Sequence, residues 1–247
     1  MKDQDHDDLV AALRRTARQL GDRRSIRDLE HTLGQIVTSA VATIPGVDAG
    51  SISITHHGRV ETRTPTTEAI GKLDSTQSEL NEGPCLSAIE DPPEDGTVIA
   101  RDFTGDDAQR WPRFAPYAVE AGYRALMSTQ LSSEGGPRAA LNLYSAGADA
   151  FDEHARTLAG LFGIQAAMLL YGADTAAHLQ RAVDSRDLIG RAKGILMERF
   201  SLDDEAAFQL LVSSSQDTNM KLTDVATWLT DEVSGRQTTG KSEIDGR

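Results

Sequence analysis

The first part of the chain carries apolar residues at every third or fourth position, which is the spacing of amphipathic helices. One such run covers residues 8–20 and has arginines between its apolar positions. A second run covers residues 26–44 and is stopped by Pro45 and Gly46. The pattern therefore predicts a short N-terminal helix followed by a longer one.

Between residues 51 and 145 the pattern changes to short alternating or β-branched runs. A hairpin is predicted for residues 51–64, because two such runs flank the turn-forming sequence HHG. Further strands are predicted at 97–100, 124–131 and 138–145, with helices within 79–90 and 113–123. This order of elements is typical of an α+β domain with a mostly antiparallel sheet.

Beyond Phe151 the pattern is helical almost throughout, with apolar residues at threes and fours across 155–183. Two interpretations fit residues 158–170: the start of a coiled-coil connector, or a helix packed on the sheet of its own domain. Because the run contains more apolar positions than one domain can bury, we expect a homodimer.

Three helices are predicted to close the chain. The first covers about residues 184–200, and the second starts at a capping box formed by Ser201 and Asp204. The third carries an apolar stripe that starts at Leu222 and ends at Val233. Residues 234–247 contain almost no apolar side chains, which predicts a disordered tail.

These patterns divide the chain into five predicted segments. They are an N-terminal amphipathic helix (1–24), an α+β domain (25–170), a helical connector (171–183), a three-helix unit (184–233) and the tail (234–247).

Composition and charge exclude several classes of protein. The net charge of −13 argues against indiscriminate binding to nucleic acid or anionic lipid, so any contact with a polyanion must be local. The acidic N-terminus lacks the pattern of a secretory signal, and no apolar run approaches the roughly 18 residues of a membrane span. We therefore expect a soluble, cytoplasmic protein with no membrane partner. The single cysteine, Cys85, excludes an intrachain disulfide and a cysteine-rich metal cluster.

The first helix of the three-helix unit contains two glycines, each of which costs roughly 1 kcal/mol relative to alanine. On a helical wheel, Gly190 and Gly194 lie with Arg186, Lys193 and Met197 beside the apolar stripe. Residues 181–199 have a local charge of +2, from Arg181, Arg186, Arg191, Lys193 and Arg199 against Asp184, Asp187 and Glu198. Two interpretations stay open: the glycines let an RNA backbone approach between cations, or they allow close helix packing beside solvated cations.

Residues 185–229 closely resemble the ANTAR domain, the RNA-binding module of bacterial transcription antitermination regulators. The matching motifs, in order, are AKGILM, EAAFQLL, the serine and asparagine of SSSQDTN, and KLTDVA. The resemblance implies a three-helix unit that binds paired stem-loops in a leader transcript and prevents an overlapping terminator hairpin from forming. It also implies two copies of the module, which again suggests a homodimer.

The resemblance assigns RNA contacts to Ala192, Lys193 and Gly194, with Ser214, Asn219 and Lys221 as a second set. Arg186 and Arg191 are then expected to pair with phosphates beside Gly190. Met197 is either a base contact or a core residue. Trp228 lies near the apolar stripe of the third helix and is expected to pack in the core.

The preceding region resembles GAF sensory domains through ELNEGPCLSAI, WPRFAPYAVEAGYRALMSTQL and AALNLYSAGADAFDE. This resemblance implies a small-molecule or state-sensing domain whose ligand is unknown. For Cys85 a buried small side chain is favoured over a redox or chromophore site, and methionine sulfoxide reduction would lack a resolving cysteine. His56 and His57 alone do not make a metal or haem site. We expect a regulator with no catalytic residue, metal or cofactor.

Two alternatives are kept. Three short C-terminal helices are compatible with a DNA-binding helix-turn-helix, although the predicted turn QDTNMK is longer than usual for that motif. The other alternative is a haem or redox sensor of the GAF type.

Overall fold

The computed structural model describes residues 29–56, 59–131 and 138–241. The chain divides into two compact units, with the boundary between Asp174 and Thr175. The helix predicted at 8–20, the predicted turn residue His57 and the segment 132–137 lie outside the described residues. Across the described part of the chain, no helix combines the length and apolarity that a membrane span needs.

The first unit is built on a five-stranded antiparallel sheet with the order β2-β1-β5-β4-β3. The strands are β1 (Ala49–His56), β2 (Arg59–Arg63), β3 (Thr97–Ala100), β4 (Ala125–Gln130) and β5 (Ala139–Ser145). The pairing of His56 with Arg59 closes the hairpin that was predicted for residues 51–64. The α+β class and all five strands are therefore confirmed.

Helices cover both faces of the sheet. They are α1 (Leu29–Thr43), α2 (Glu68–Leu80), α3 (Pro84–Glu90), α4 (Asp107–Arg110), α5 (Ala115–Glu120) and the first part of α6 (Glu153–Phe200). On one face, α1 and α6 pack on a core that includes Ile52, Leu141 and Leu143. On the other face, residues of α2, α3 and α5 form a second core with Leu126 and Tyr144. Every residue of β5 is buried because both of its faces are covered.

Helix α2 was not predicted from the pattern. Thr67 caps it by accepting a hydrogen bond from the backbone N–H of Ile70, and its buried positions include the polar residues Asp74 and Gln77. Because polar side chains occupy half of the buried face, hydrophobic periodicity is weak there.

The first part of α6 answers the question left open for residues 158–170. Leu158, Phe162 and Leu169 are buried in the core on the sheet, so the packing interpretation holds for that face. Ile164 and Met168 are exposed on the same helix. An apolar face of the helix is therefore left without a partner in the described chain.

In the second unit, the end of α6 packs with α7 (Asp204–Thr218) and α8 (Leu222–Lys241). The predicted cap of α7 is wrong: the carboxylate of Asp203, not Ser201, accepts the hydrogen bond from the N–H of Ala206. Ser201 has a φ of 54°, because the backbone reverses there after α6, so it cannot adopt the extended conformation of an N-cap.

The ends of α7 and α8 also differ from the prediction. Helix α7 continues to Thr218 and ends at Asn219, which has a φ of 53°. The connection to α8 is therefore only residues 219–221, and the length argument against a helix-turn-helix is wrong. Helix α8 ends at Lys241, beyond residue 234, where the predicted tail begins.

Candidate functional site

A cluster of buried polar side chains lies on the sheet face covered by α2 and α3. Its centre is Asp74, whose two carboxylate oxygens accept hydrogen bonds from Ser51 Oγ at 2.5 Å and from Tyr144 Oη at 2.6 Å. The side-chain amide of Asn142 lies 3.4 Å from the same carboxylate and donates to Ser53 Oγ at 2.9 Å. Residues from β1, α2 and β5 thus meet around one buried acid.

The hydrogen-bond partners of Asp74 are all uncharged. Burial therefore raises the pKa of Asp74 from 3.8 to about 6, although the hydrogen bonds from Ser51 and Tyr144 favour its ionised form. The pKa of Tyr144 is held well above its usual value by burial and by the neighbouring Asp74 charge. The cluster consequently contains one group, Asp74, that changes charge in a mildly acidic range.

Cys85 belongs to the edge of this cluster. Its backbone N–H donates to Gln77 Oε1 at 3.0 Å, and Gln77 Nε2 donates to Tyr144 Oη at 3.1 Å. Burial, reinforced by the Asp74 charge, raises the pKa of the Cys85 thiol to about 12. The thiol is therefore protonated at neutral pH and is a poor nucleophile, in agreement with the expected buried small side chain.

The backbone conformation and close surroundings of Gly83 explain why the motif EGPC contains a glycine. Its φ is +146°, and a Cβ at this position would lie 2.1 Å from Gln77 Oε1. Only glycine allows the chain to pass this close to the cluster. Among the described residues, no group of three or more histidine, cysteine, aspartate or glutamate side chains is arranged to hold a metal ion.

In the second unit, the two glycines of α6 face open space. A Cβ built at Gly190 or at Gly194 would meet no atom within 4 Å outside the local helix. Packing within the described chain therefore does not explain either glycine. Arg186 and Arg191 are exposed on the same helix, and neither has an ion-pair partner in the described residues.

Two of the predicted RNA-contact residues on this helix make contacts within the three-helix unit. Ala192 is completely buried in the core of the three helices, so its side chain is not available to RNA. Lys193 Nζ forms an ion pair with Asp204 Oδ1 at 2.6 Å, and its side chain is only 19% exposed. It also lies 5.8 Å from the ring centroid of Phe208. Lys193 therefore joins α6 to the first turn of α7, and a phosphate at this lysine competes with Asp204.

Met197 is half-buried and packs against the same core, which favours the core interpretation of this residue. In the second predicted set, Ser214 Oγ donates to the carbonyl of Leu210 at 2.8 Å. Asn219 ends α7, and Lys221 is exposed at the start of α8.

A groove of about 520 Å³ opens between the three helices. Its floor contains the buried side chains of Leu196, Leu211 and Leu229, and its walls contain Phe200 and Trp228. Trp228 is 61% exposed and Phe200 is 58% exposed. The prediction that Trp228 packs in the core is therefore wrong.

Comparison with protein families gives two matches. The model of the GAF domain matches residues 27–170, which is more than half of the chain, and the model of the ANTAR domain matches residues 177–229. The chain belongs to the GAF family. It carries an ANTAR domain at its C-terminal end. Both resemblances stated from the sequence are thus confirmed.

Solved structures resemble the GAF domain in fold. The phytochrome photosensory core module of Stigmatella aurantiaca is 14% identical with a TM-score of 0.51, and the match covers 81% of this chain and 43% of that one. The GAF domain of a phosphoenolpyruvate-protein phosphotransferase from Coxiella burnetii is 17% identical with a TM-score of 0.48, and the match covers 69% of this chain and 97% of that one. A type II free methionine-R-sulfoxide reductase from Thermoplasma acidophilum is 13% identical with a TM-score of 0.46, and the match covers 60% of this chain and 95% of that one. No curated protein matches.

The buried polar cluster of the GAF domain was not predicted from the sequence. Asp74 lies in the helix whose pattern was too polar to be recognised. A signal does exist in β5, where Asn142 and Tyr144 alternate with Leu141 and Leu143 in an entirely buried strand. Polar residues on one face of a buried strand require partners, which predicts a polar cluster on that face.

Proposed function

We propose that this protein is a transcription antitermination regulator, in which the GAF domain responds to a ligand or state and controls RNA binding by the ANTAR domain. The domain composition makes it a GAF-regulated ANTAR regulator. In the proposed mechanism, the ANTAR domain binds paired stem-loops in a leader transcript and prevents the terminator from forming. No catalytic step is proposed, because the buried Cys85 thiol is protonated and poorly nucleophilic.

The observation that carries the RNA-binding proposal is the open surface around Gly190 and Gly194. Both glycines cost helix stability, and neither is needed for packing in the described chain. Arg186 and Arg191 supply unpaired positive charge on this helix. A bare helix surface beside free arginines fits an RNA backbone that approaches closely while its phosphates pair with cations.

Helix α6 supports a homodimer as part of this proposal. In the first unit it exposes Ile164, Met168 and Tyr171. In the second unit it exposes Leu179 and Val183. Exposed apolar residues at these intervals are typical of a helix that packs against a second copy. A dimer would present two ANTAR domains to the two stem-loops.

The test compares two glycines of the same helix. Gly194→Ala should weaken binding to a two-stem-loop RNA by about tenfold or more, because a methyl group then stands in the contact, although helix propensity improves by up to roughly 1 kcal/mol. Gly160→Ala is the matched control: Gly160 also faces open space on α6 and lies outside residues 164–183, so the variant gains similar helix stability and should bind RNA normally. The RNA is selected by the wild-type protein from a pool of stem-loop pairs with randomised loops.

Equal RNA affinity for the wild type and both variants would contradict the assignment of this surface. Failure of the wild type to enrich any RNA would contradict the proposed function as a whole.

A DNA-binding helix-turn-helix is the second candidate, because the connection between α7 and α8 is three residues long. The charge of α8 argues against it. Asp224 and Asp231 are exposed on this helix, where a recognition helix would approach phosphates. Duplex DNA of the same sequence is therefore included in the binding test, and preferential binding to it would favour this alternative.

A further inference from the structure

We propose that the groove between the three helices of the ANTAR domain is a pocket for one unpaired RNA base, which stacks against Trp228. This inference rests on the proposed RNA-binding function and names a recognition site within it. The groove is formed by residues at the end of α6 together with α7 and α8, and neither Gly190 nor Gly194 lines it.

The aromatic side chains carry the inference. Among the described side chains of the second unit, Phe200 and Trp228 are the two exposed aromatic residues, and both line this groove. Two exposed aromatic side chains that line the same groove form an apolar patch, and such patches mark binding sites. Bases of RNA loops are unstacked and are bound by stacking on such side chains.

The size and lining of the groove fit a base. Its volume of about 520 Å³ lies within the roughly 300–1,000 Å³ of sites that bind small ligands. The floor is apolar, and Ser214 and Thr218 place hydroxyl groups along the α7 side. An apolar floor suits the face of a base, and the hydroxyl oxygens are available to accept hydrogen bonds from its edge.

The charged side chains indicate how a nucleotide is oriented in the groove. Arg199 lines it from α6 and has no ion-pair partner in the part of the chain that the structure describes, whereas Glu232 lines it from α8. A phosphate is attracted to the side of Arg199. The nucleotide would therefore lie with its phosphate towards α6 and its base over Trp228.

One residue of the second set that the ANTAR resemblance assigned lines the groove, and the other two are close to it in the chain. Ser214 lines the groove, and Asn219 and Lys221 flank the lining residue Met220 in the chain. The first set is partly engaged elsewhere, because Ala192 is buried and Lys193 is paired. In this arrangement the groove recognises a base, and the surface around the glycines contacts the RNA backbone.

The experiment measures affinity for the stem-loop RNA selected by the wild-type protein. Trp228→Ala should weaken binding by about 5- to 150-fold, which is the range for losing one stacked base. Trp228→Phe is the control, because it keeps an aromatic face and should stay within about threefold of the wild type. Since Trp228 is exposed, both variants should keep the circular dichroism spectrum and melting temperature of the wild type.

A second arm identifies the base. Each loop nucleotide is replaced in turn by an abasic one, and we expect one position at which the wild type loses as much affinity as Trp228→Ala does. At that position Trp228→Ala should cause no further loss, because the stacking partner is already missing. In a Trp111→Phe background, RNA binding should quench the fluorescence of the remaining Trp228.

Three results would overturn the inference. Wild-type affinity of Trp228→Ala for the selected RNA would refute the pocket and leave the proposed function standing. A change in oligomeric state with unchanged RNA affinity would identify the groove as a protein interface. Failure of the wild-type protein to bind any selected RNA would remove the proposed function and the pocket together.

Discussion

Asp74 is the group through which pH should act most strongly on the GAF domain. Burial among uncharged partners raises its pKa from 3.8 to about 6, so the folded protein holds this proton more tightly than the unfolded chain. Between about pH 4 and about pH 6 the folded state binds more protons, and the free energy of unfolding therefore falls as pH rises through this window.

The magnitude follows from the size of the shift. A difference of about two pKa units corresponds to about 3 kcal/mol, because each unit is worth roughly 1.4 kcal/mol. Asp102 acts in the opposite direction: Arg124 and the hydrogen bonds from Thr104 lower its pKa to about 2, so its stabilising contribution is lost as pH falls below about 4. The contribution of Asp74 is therefore isolated best by comparing the wild type with a variant.

Asp74→Asn removes the titrating group and keeps its shape. The loss of one hydrogen-bond acceptor changes the stability by an amount that does not depend on pH. We expect the variant to lose the fall of about 3 kcal/mol between about pH 4 and about pH 7 that Asp74 contributes to the wild type. Asp106→Asn, at an exposed aspartate, controls for the removal of one negative charge.

The assay is urea unfolding at several pH values, followed by Trp111 fluorescence in a Trp228→Phe background. Trp111 is buried in the GAF domain, so its signal reports that domain alone. The same pH dependence in Asp74→Asn and in the wild type would refute the reasoning. Loss of the same pH-dependent fall in Asp106→Asn would also refute it, because that variant keeps Asp74.

Further predictions concern other residues. Lys193→Ala should lower the melting temperature of the ANTAR domain and leave the salt dependence of RNA binding unchanged, because the lysine is already paired. Arg186→Ala should instead reduce the slope of log affinity against log salt by about 0.7 and leave the melting temperature unchanged. Cys85→Ser should cost about 1–3 kcal/mol of stability by burying a hydroxyl group, with RNA affinity unaltered in a gel-shift titration. Gly83→Ala should destabilise the GAF domain measurably in thermal unfolding, because the added methyl group collides with a glutamine side chain. Leu179→Asp should shift light scattering from dimer to monomer, because it places a charge on the exposed apolar side of α6.

The sequence by itself determined the α+β class, the five strands and the two domain families. These features depend on short-range patterns: alternation within each strand, helical spacing within each helix, and motifs such as EGPC and AKGILM. The same kind of reasoning identified Cys85 as a buried residue, because it stands among apolar neighbours with no activating base nearby.

Only the tertiary structure decided which polar residues act together. Ser51, Asp74 and Tyr144 come from three separate elements, and their meeting depends on how α2 lies on the sheet. The ion pair of Lys193 with Asp204 likewise depends on the turn between α6 and α7. A sequence pattern reports the face of a helix on which a side chain lies, but a partner across the fold is set by packing.

The exposure of Trp228 shows the same limit at the edge of a predicted stripe. A residue beside an apolar stripe is buried or exposed according to the angle at which the neighbouring helices pack. Here the three helices leave a groove at that edge, so the tryptophan that helical spacing assigned to the core faces solvent. Periodicity determines the centre of a buried face, and tertiary packing determines where that face ends.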